Sequence, residues 1–415
     1  MQPDKVSAQK RNQMIQKARR ERLAPHNLLP CVSPRKIKVR IFAMNHQWIA
    51  LRSLCMAFKD DDKYDLLISI WVPSWQEGMD NDNRKDGIKC VLMKEYNIED
   101  DKPDIAILES DKSANKIVRE FIKKSAVHAK TRFIIPFNLL MSTGEAVESR
   151  VGKIYDNTRK NDFYIFDRFL YAKATEKSLL NSNIVHIGNP KFDEIYEKMQ
   201  AKQVLPEEWE KLRGKKVFVW TTDHAPLDGN VTFDFYASYF LEWFYAHKDD
   251  CALIIRPHPL LVNELIRNNI WKREDYEAFK AYCEGSENIV LDGRVDYCLS
   301  YSLADCIFTD ANCGIIITGM TIDKPICALL RNDKYAHRIV YPEIIEHHNL
   351  VSKPEELYDF LERIRAGEDP KADLRKVAFS KFISHYDGQN GQRIKDFIEE
   401  KYVEIMDKGN QHETR

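Results

Sequence analysis

The apolar run Leu253-Ile254-Ile255 ends in Arg256-Pro257-His258-Pro259, an arginine and a histidine fixed between prolines. A guanidinium presents a rigid fork of donors to phosphoryl oxygens, and an imidazole donates to phosphate or moves a proton near neutral pH. The prolines restrict the backbone that carries both. The turn therefore suits a phosphate site, and it equally suits a solvated strand end. Two further apolar runs end in similar chemistry. Val217–Thr221 leads into Thr222-Asp223-His224-Ala225-Pro226, and Asp305–Thr309 leads into Asp310-Ala311-Asn312-Cys313-Gly314. If these runs are parallel strands, all three ends lie along one sheet edge, with the Arg256–His258 turn in the middle. Ligand sites collect at such carboxyl edges, so two histidines and an aspartate there favour a functional reading. The small and polar residues 311–314 precede the helix-like run Ile315 to Met320, whose first amides could bind a diphosphate, with Gly314 and Gly319 permitting close approach. An ordinary buried helix capped by Asn312 is the plainer alternative. No G-x-G-x-x-G or P-loop occurs, so a nicotinamide or ATP site of those types is unsupported.

The elements that must position these residues follow from hydrophobic period. From residue 37 onward short apolar runs alternate with longer helical-period segments, the mark of βαβ units and parallel sheets. Strands are predicted at Val39–Met44, Leu66–Val72, Asp104–Leu108, Arg132–Pro136, Phe163–Phe166 and Ile184–Ile187, then at Val217–Thr221, Ala252–Arg256, Asn288–Leu291, Asp305–Thr309 and Pro325–Leu330. Each half thus has a sheet of its own, an α/β organisation in two domains. The expected division is a basic extension 1–35, an N-terminal Rossmann-like domain 36–205, a second Rossmann-like domain 215–373, and C-terminal helices 374–415. The charged segment Lys198 to Lys216, with Pro206 and Gly214, reads as a linker or surface helix between the halves. Helical spacing from Leu374 to Met406, broken at Asp387-Gly388-Gln389-Asn390-Gly391, is long enough to cross back onto the first domain. Two such domains leave a cleft, where small-molecule sites are preferred.

Composition narrows the class. At 415 residues, 44% hydrophobic and 31% charged, the chain is globular and too long for one ordinary core. A net charge of -1 argues against a dedicated nucleic-acid binder. The nine cysteines (31, 55, 90, 251, 283, 298, 306, 313, 327) include no C-x-x-C pair, which favours reduced thiols and a cytoplasmic location. No apolar run approaches the roughly 20 residues of a membrane-spanning helix. Residues 1–22 nevertheless carry seven Lys/Arg against Asp4 and Glu21, with Met14, Ile15, Ala18 and Leu23 as sparse apolar positions. Such a segment suits either a frayed soluble tail or peripheral contact with the anionic inner face of the cytoplasmic membrane.

Beyond these readings, the order Gly188-Asn189-Pro190-Lys191-Phe192-Asp193, Trp220 through His224, Thr232-Phe233, Arg256-Pro257-His258-Pro259, Thr309-Asp310, Lys324-Pro325 and Tyr386-Asp387-Gly388 with Arg393-Ile394 resembles the CDP-glycerol glycerophosphotransferase family. The resemblance covers roughly residues 160–400. It implies a GT-B-like fold with two Rossmann-like domains facing a cleft, C-terminal helices crossing back to the first domain, and a second domain that binds CDP-glycerol. The implied activity is transfer of glycerol phosphate in teichoic-acid-like or capsular polymer synthesis. It places His224, His258 and Asp310 at family positions associated with the donor diphosphate and catalysis. Departures are Pro226 and Cys313, where serines are common, and Ile317, where a glutamate usually lies. The His-Gly pair that related first domains carry as a catalytic base is missing.

The expected chemistry is attack of an acceptor hydroxyl on the β-phosphorus of CDP-glycerol, which needs charge stabilisation, a base and in-line placement. Expected catalytic residues are His258 and His46; expected donor-binding residues are His224, Arg256, Asp310, Asn312, Cys313 and Gly314. Asn45-His46-Gln47-Trp48 follows the first strand and is preferred over His128 as a source of the base. No cofactor is expected besides CDP-glycerol as donor substrate, and no metal: Asp60-Asp61-Asp62 and Asp80-Asn81-Asp82 have turn composition, and the second lacks the glycine and glutamate of a calcium loop. Expected partners are the nucleotide-activated donor and a polyol-phosphate or glycan acceptor, lipid-linked or free. A nucleotide-sugar glycosyltransferase and a catalytically silent binding subunit are the competing readings.

Overall fold

The computed structural model describes residues 35–43, 50–71, 86–109, 116–136, 162–168, 171–172, 183–201, 203–224, 231–294, 296–339 and 342–413. His46, Asp80 to Asp82, Pro226 and the basic extension through residue 34 lie outside them. Arg35 and Lys36, both exposed, are described of the unit Met1–Lys36.

Among the described residues, the first half contributes β1 (Ile37–Ala43), β2 (Tyr64–Ile70), β3 (Cys90–Leu92), β4 (Ile105–Leu108), β5 (Thr131–Ile134), β6 (Asp162–Phe166) and β7 (Ile184–His186). They form one parallel sheet in the order β3-β2-β1-β4-β5-β6-β7. The second half contributes β8 (Lys216–Thr222), β9 (Cys251–Pro257), β10 (Ile289–Leu291), β11 (Cys306–Asp310), β12 (Ile326–Leu329) and β13 (Asn349–Val351). These form a second parallel sheet, β10-β9-β8-β11-β12-β13. The eleven strands expected from the apolar runs are present. β3 and β13 were not expected: each is three residues long and sits at a sheet edge, too short for period or burial to mark it.

Strands buried on both faces read as continuous apolar runs, and β4 (IAIL) and β12 (ICAL) are fully buried. β1 departs from that pattern at Arg40, which is 4% exposed. Its guanidinium is satisfied by Asp101 and Asp65, so the charge is buried only together with its partners.

The segment expected to be a linker or surface helix is part of the core instead. Residues Glu207–Leu212 form a 3-10 turn that buries Trp209 and Leu212, and Arg294 stacks on the Trp209 ring at 3.6 Å. Its high charge misled, because the exposed Glu207, Glu208 and Glu210 alternate with residues of the same turn that are buried. One apolar cluster runs from Ile134, Tyr164, Phe166 and Ile184 through Phe192 and Ile195 to Val217, Ile307 and Phe382. Each such side chain contributes about 2 kcal/mol when buried, so the two sheets share a strong apolar seam.

The last two helices cross back as expected. Helix Ala372–Phe382 contributes Ala378 and Phe382 to the seam, and helix Asn390–Glu413 places Ile394, Ile398 and Tyr402 in the core beneath the first sheet. The crossing is fixed by Asp193, fully buried in helix Lys191–Gln200. Its carboxylate accepts the backbone amides of Asn390 (2.9 Å) and Gly391 (2.7 Å) and the Asn390 side-chain amide (2.8 Å).

Candidate functional site

In the second sheet the chain runs β8, β9, β10 to one side and then returns to place β11 on the other side of β8. The crevice between the carboxyl ends of β8 and β11 is therefore a topological switch point, where open α/β sheets bind ligands. The His224 loop is central, with the His258 turn on one flank and the Asp310 loop on the other. This corrects the expectation that the Arg256–His258 turn lies in the middle. Chain order does not give spatial order where the winding reverses.

Asp310 is the brace of this crevice. It is 1% exposed, and its carboxylate accepts the Asp223 amide (2.7 Å), the Thr232 amide (2.9 Å) and the Thr232 hydroxyl (2.6 Å). These bonds tie β11 to the two ends of the loop after β8. Burial pushes the Asp310 carboxyl up to about 7 against the opposing pull of those donors.

The two histidines meet above this brace. The His224 and His258 rings stack with centroids 4.3 Å apart and planes 25° from parallel. His224 Nδ1 lies 2.7 Å from Asp223 Oδ1, which also accepts the His224 backbone amide at 2.7 Å. The carboxylate raises the His224 pKa, and the histidine in turn lowers that of Asp223 although burial opposes it. With Nδ1–H directed at Asp223, the His224 Nε2 edge is available to carry a second proton. His258 is oriented differently: its Nδ1 accepts the Leu260 amide at 3.2 Å, which leaves Nε2 as the protonated nitrogen of the neutral ring.

Arg256 points elsewhere than its sequence context suggested. Its guanidinium donates to Asp292 Oδ2 at 2.5 Å and to the Arg294 carbonyl at 2.5 Å, with Asp292 fully buried and also accepting from Ser300. The fork thereby fixes the β9 turn to the end of β10. Asn312, Cys313 and Gly314 form the turn after β11, with the Cys313 amide donating to the Asp310 carbonyl at 3.0 Å. Burial pushes the Cys313 thiol up to about 12, so it is protonated at neutral pH. The helix that follows is only Ile315–Thr318, and its N-cap position is Gly314 rather than Asn312. Ile317, where related chains carry a glutamate, is fully buried in the apolar seam.

Of the two candidates for a first-half base, His128 ends helix Lys116–His128, immediately before β5 begins at Thr131. That is the amino edge of the parallel sheet, opposite the strand ends that carry sites. His46 lies outside the described residues.

Two residues that sequence reasoning left without a role stand at the strand ends. Lys191 opens helix Lys191–Gln200, with its ammonium 5.7 Å from the centre of the Tyr297 ring, and burial lowers its pKa to about 8. Glu109, 3% exposed, follows β4, which is adjacent to β1 at the switch point of the first sheet. An acidic residue directly after a fully apolar strand was the signal for Glu109; for Lys191 it was the Gly188-Asn189-Pro190 turn before it.

Among the described residues no cluster of His, Cys, Asp or Glu is arranged to hold a metal ion, and no helix is long and apolar enough to cross a membrane.

The profile of the family described as CDP-Glycerol:Poly(glycerophosphate) glycerophosphotransferase matches residues 141–400. No curated protein matches the chain in sequence. Among solved structures, the wall teichoic acid polymerase TagF is similar at TM-score 0.59 and 14% identity, covering 90% of this chain and 90% of that one. The S. aureus MnaA structure with UDP is similar at TM-score 0.59 and 14% identity, covering 89% of this chain and 98% of that one. The UDP-GlcNAc 2-epimerase of Neisseria meningitidis gives 0.56 and 12%, covering 88% and 100%. These likenesses establish a GT-B-like fold of two Rossmann-like units, and the profile match adds the chemistry: the chain belongs to the CDP-glycerol:poly(glycerophosphate) glycerophosphotransferase family and is a transferase of that type.

Proposed function

We propose that the crevice between β8 and β11 holds the diphosphate of CDP-glycerol, and that glycerol phosphate passes from it to the hydroxyl of a polyol-phosphate acceptor. The stacked pair His224 and His258 carries this reading. In the reaction the acceptor oxygen bonds to the β-phosphorus, the bond to the bridging oxygen breaks, and CMP leaves with the electron pair. Charge accumulates on the leaving phosphate, so preorganised donors there supply most of the acceleration. His224, whose proton is retained by Asp223, presents a cation, and His258 presents Nε2–H. Two cationic rings at 4.3 Å would repel, which favours this division into one charged and one neutral donor. Lys191, at the start of the helix after β7 with its ammonium 5.7 Å from the Tyr297 ring, is a further cation that donor binding could recruit.

In this scheme His258 acts as a donor to phosphate, and the base belongs to the first sheet. Its switch point between β1 and β4 carries Glu109 and leads into the segment containing His46. Arg256, Asp310 and the Asn312-Cys313-Gly314 turn position the loops. The division into domains at 36–205 and 215–373 gives the acceptor the first sheet and the nucleotide the second. The enzyme works at the cytoplasmic face of the membrane, where the basic extension 1–35 contacts anionic lipid.

The test is donor binding and turnover in the full chain. Thermal-shift titration with CDP-glycerol, CDP, UDP and UDP-GlcNAc should stabilise the protein with the cytidine ligands. CMP release with a glycerol-phosphate acceptor should follow, and His258→Ala should reduce it about a hundredfold or more. A shift with UDP ligands alone would move the assignment to nucleotide-sugar chemistry.

A further inference from the structure

A second group of cationic and imidazole side chains lies outside the donor crevice, at the carboxyl end of the edge strand β7. His186 is the last residue of β7, and its Nε2 lies 2.8 Å from Ser384 Oγ. Its ring stacks on Tyr171 at 5.5 Å and lies 6.1 Å from the ring of His385. Arg168, two residues past β6, is exposed, and its guanidinium reaches over to donate to the Ser380 carbonyl.

His385 holds an unusual backbone pose here. Its φ of 54° is left-handed, which costs a residue with a Cβ about 1 kcal/mol. The pose is imposed from below: the Asn390 side chain donates to the His385 carbonyl at 2.8 Å, and Asn390 is itself held by buried Asp193. The surrounding structure thus presents an exposed imidazole on a strained, fixed backbone, an arrangement that clusters at ligand clamps. Burial lowers the pKa of both imidazoles; Arg168 acts on each in the same direction, and at His385 Arg393 adds to it while Asp387 opposes it. The carboxylate that follows them in the chain, Asp387, is engaged through both oxygens by Arg393.

We propose that Arg168, His186 and His385 form a phosphate subsite, occupied by the phosphate of a polyol-phosphate acceptor. A guanidinium with two imidazoles matches the several oxygens of a phosphate ester better than a single carboxylate. The subsite stands at the edge of the first sheet, whereas the donor diphosphate residues stand on the second, so donor and acceptor phosphates have separate cradles. The choice of acceptor rests on the transfer reaction proposed above; the phosphate subsite itself does not.

The test uses the full chain labelled at histidine carbons, with His186 and His385 resonances assigned through His186→Asn and His385→Asn. Asparagine tolerates the left-handed pose, and melting curves check that each variant folds. Inorganic phosphate and glycerol 3-phosphate should shift both resonances relative to chloride at equal ionic strength. Arg168→Gln should weaken that binding about tenfold and raise the acceptor KM similarly, with CDP-glycerol affinity unchanged. Absence of the shifts, equal phosphate affinity in Arg168→Gln, or an equal loss of CDP-glycerol affinity would overturn the subsite. So would loss of binding to phosphatidylglycerol vesicles with soluble phosphate binding intact, which marks a membrane contact. Because the phosphate titration contains no cytidine nucleotide, its result stands even if CDP-glycerol is not the donor.

Discussion

His224 stacks on His258 while its other face of chemistry, Nδ1, is held by Asp223 at 2.7 Å. A single carboxylate therefore decides which ring of the pair carries the charge. The bonded Asp223 raises the His224 pKa, so His224 keeps its proton to higher pH than an ordinary histidine. Donor affinity should accordingly decline as pH rises through the His224 pKa. In Asp223→Asn that decline should begin at lower pH, because the stabilising carboxylate is gone. Calorimetric Kd values for CDP across pH check this; identical profiles in the two proteins would remove His224 as the charged donor.

Asp310 accepts three donors from two segments, and an amide cannot replace it. In Asp310→Asn the new NH2 must face the Asp223 amide or the Thr232 donors, leaving buried donors opposed. Stability should fall by about 2 kcal/mol, with loss of donor binding beyond what the instability explains. Urea unfolding together with CDP titration at low temperature separates the two effects.

Much of this site was legible because its residues follow strands that are buried on both faces. A continuous apolar run ending in Asp-His or Arg-Pro-His marks both the strand and its useful end, so His224, His258 and Asp310 could be placed on one edge. What local sequence could not supply is the partner across space. Arg256 resembles a phosphate fork in sequence, but its guanidinium pairs with Asp292, just past β10, and with the Arg294 carbonyl. Trp209 sat in a charged stretch whose buried side shows only when folded. Strand order, which puts His224 in the centre, depends on the reversal of winding after β10.

Glu109 tests the assignment of the acceptor side. If it takes the acceptor proton, or holds the group that does, Glu109→Gln should lower kcat about a hundredfold or more while leaving the CDP-glycerol Kd unchanged. Steady-state kinetics with a direct binding measurement checks the split. A rise in donor Kd with kcat preserved would place Glu109 in the wrong half of the reaction.

His348 provides an acid-sensitive support beneath the turn after β11. It is 2% exposed, and its Nε2 lies 2.7 Å from the Ile316 carbonyl, so the neutral ring donates to helix Ile315–Thr318. Burial lowers its pKa from 6.5 to about 4. Below pH 6.5 the unfolded chain binds a proton that the folded chain refuses, so stability falls as pH drops from about 6.5 to about 4. The whole effect is about 3 kcal/mol. Asp310 and Glu194, whose carboxyls burial pushes up to about 7, contribute with the opposite sign, losing stability as pH rises. The His348 contribution is therefore read as the difference between wild type and His348→Gln in unfolding free energy across that window. Parallel curves would mean that His348 is already charged or solvated in the folded protein.

Two glycines separate the needs of the fold from those of the donor crevice. A Cβ on Gly391 would lie 2.5 Å from the Ser53 carbonyl carbon and 2.7 Å from the Leu54 nitrogen, backbone that cannot move aside cheaply. The Gly391 amide is also one of the donors held by Asp193. Gly391→Ala should therefore push helix Asn390–Glu413 off helix Arg52–Lys59 and cost about 3 kcal/mol. Gly314 is the converse case: nothing stands within 4 Å of the position its Cβ would take, and its φ of -58° suits any residue. Gly314→Ala should melt within a degree or two of wild type, about 0.5 kcal/mol or less. If a diphosphate approaches this turn closely, the same methyl should nevertheless weaken CDP-glycerol binding. Differential scanning calorimetry and donor titration on both variants check the pair, and equal donor affinity in Gly314→Ala would place the diphosphate away from the turn after β11.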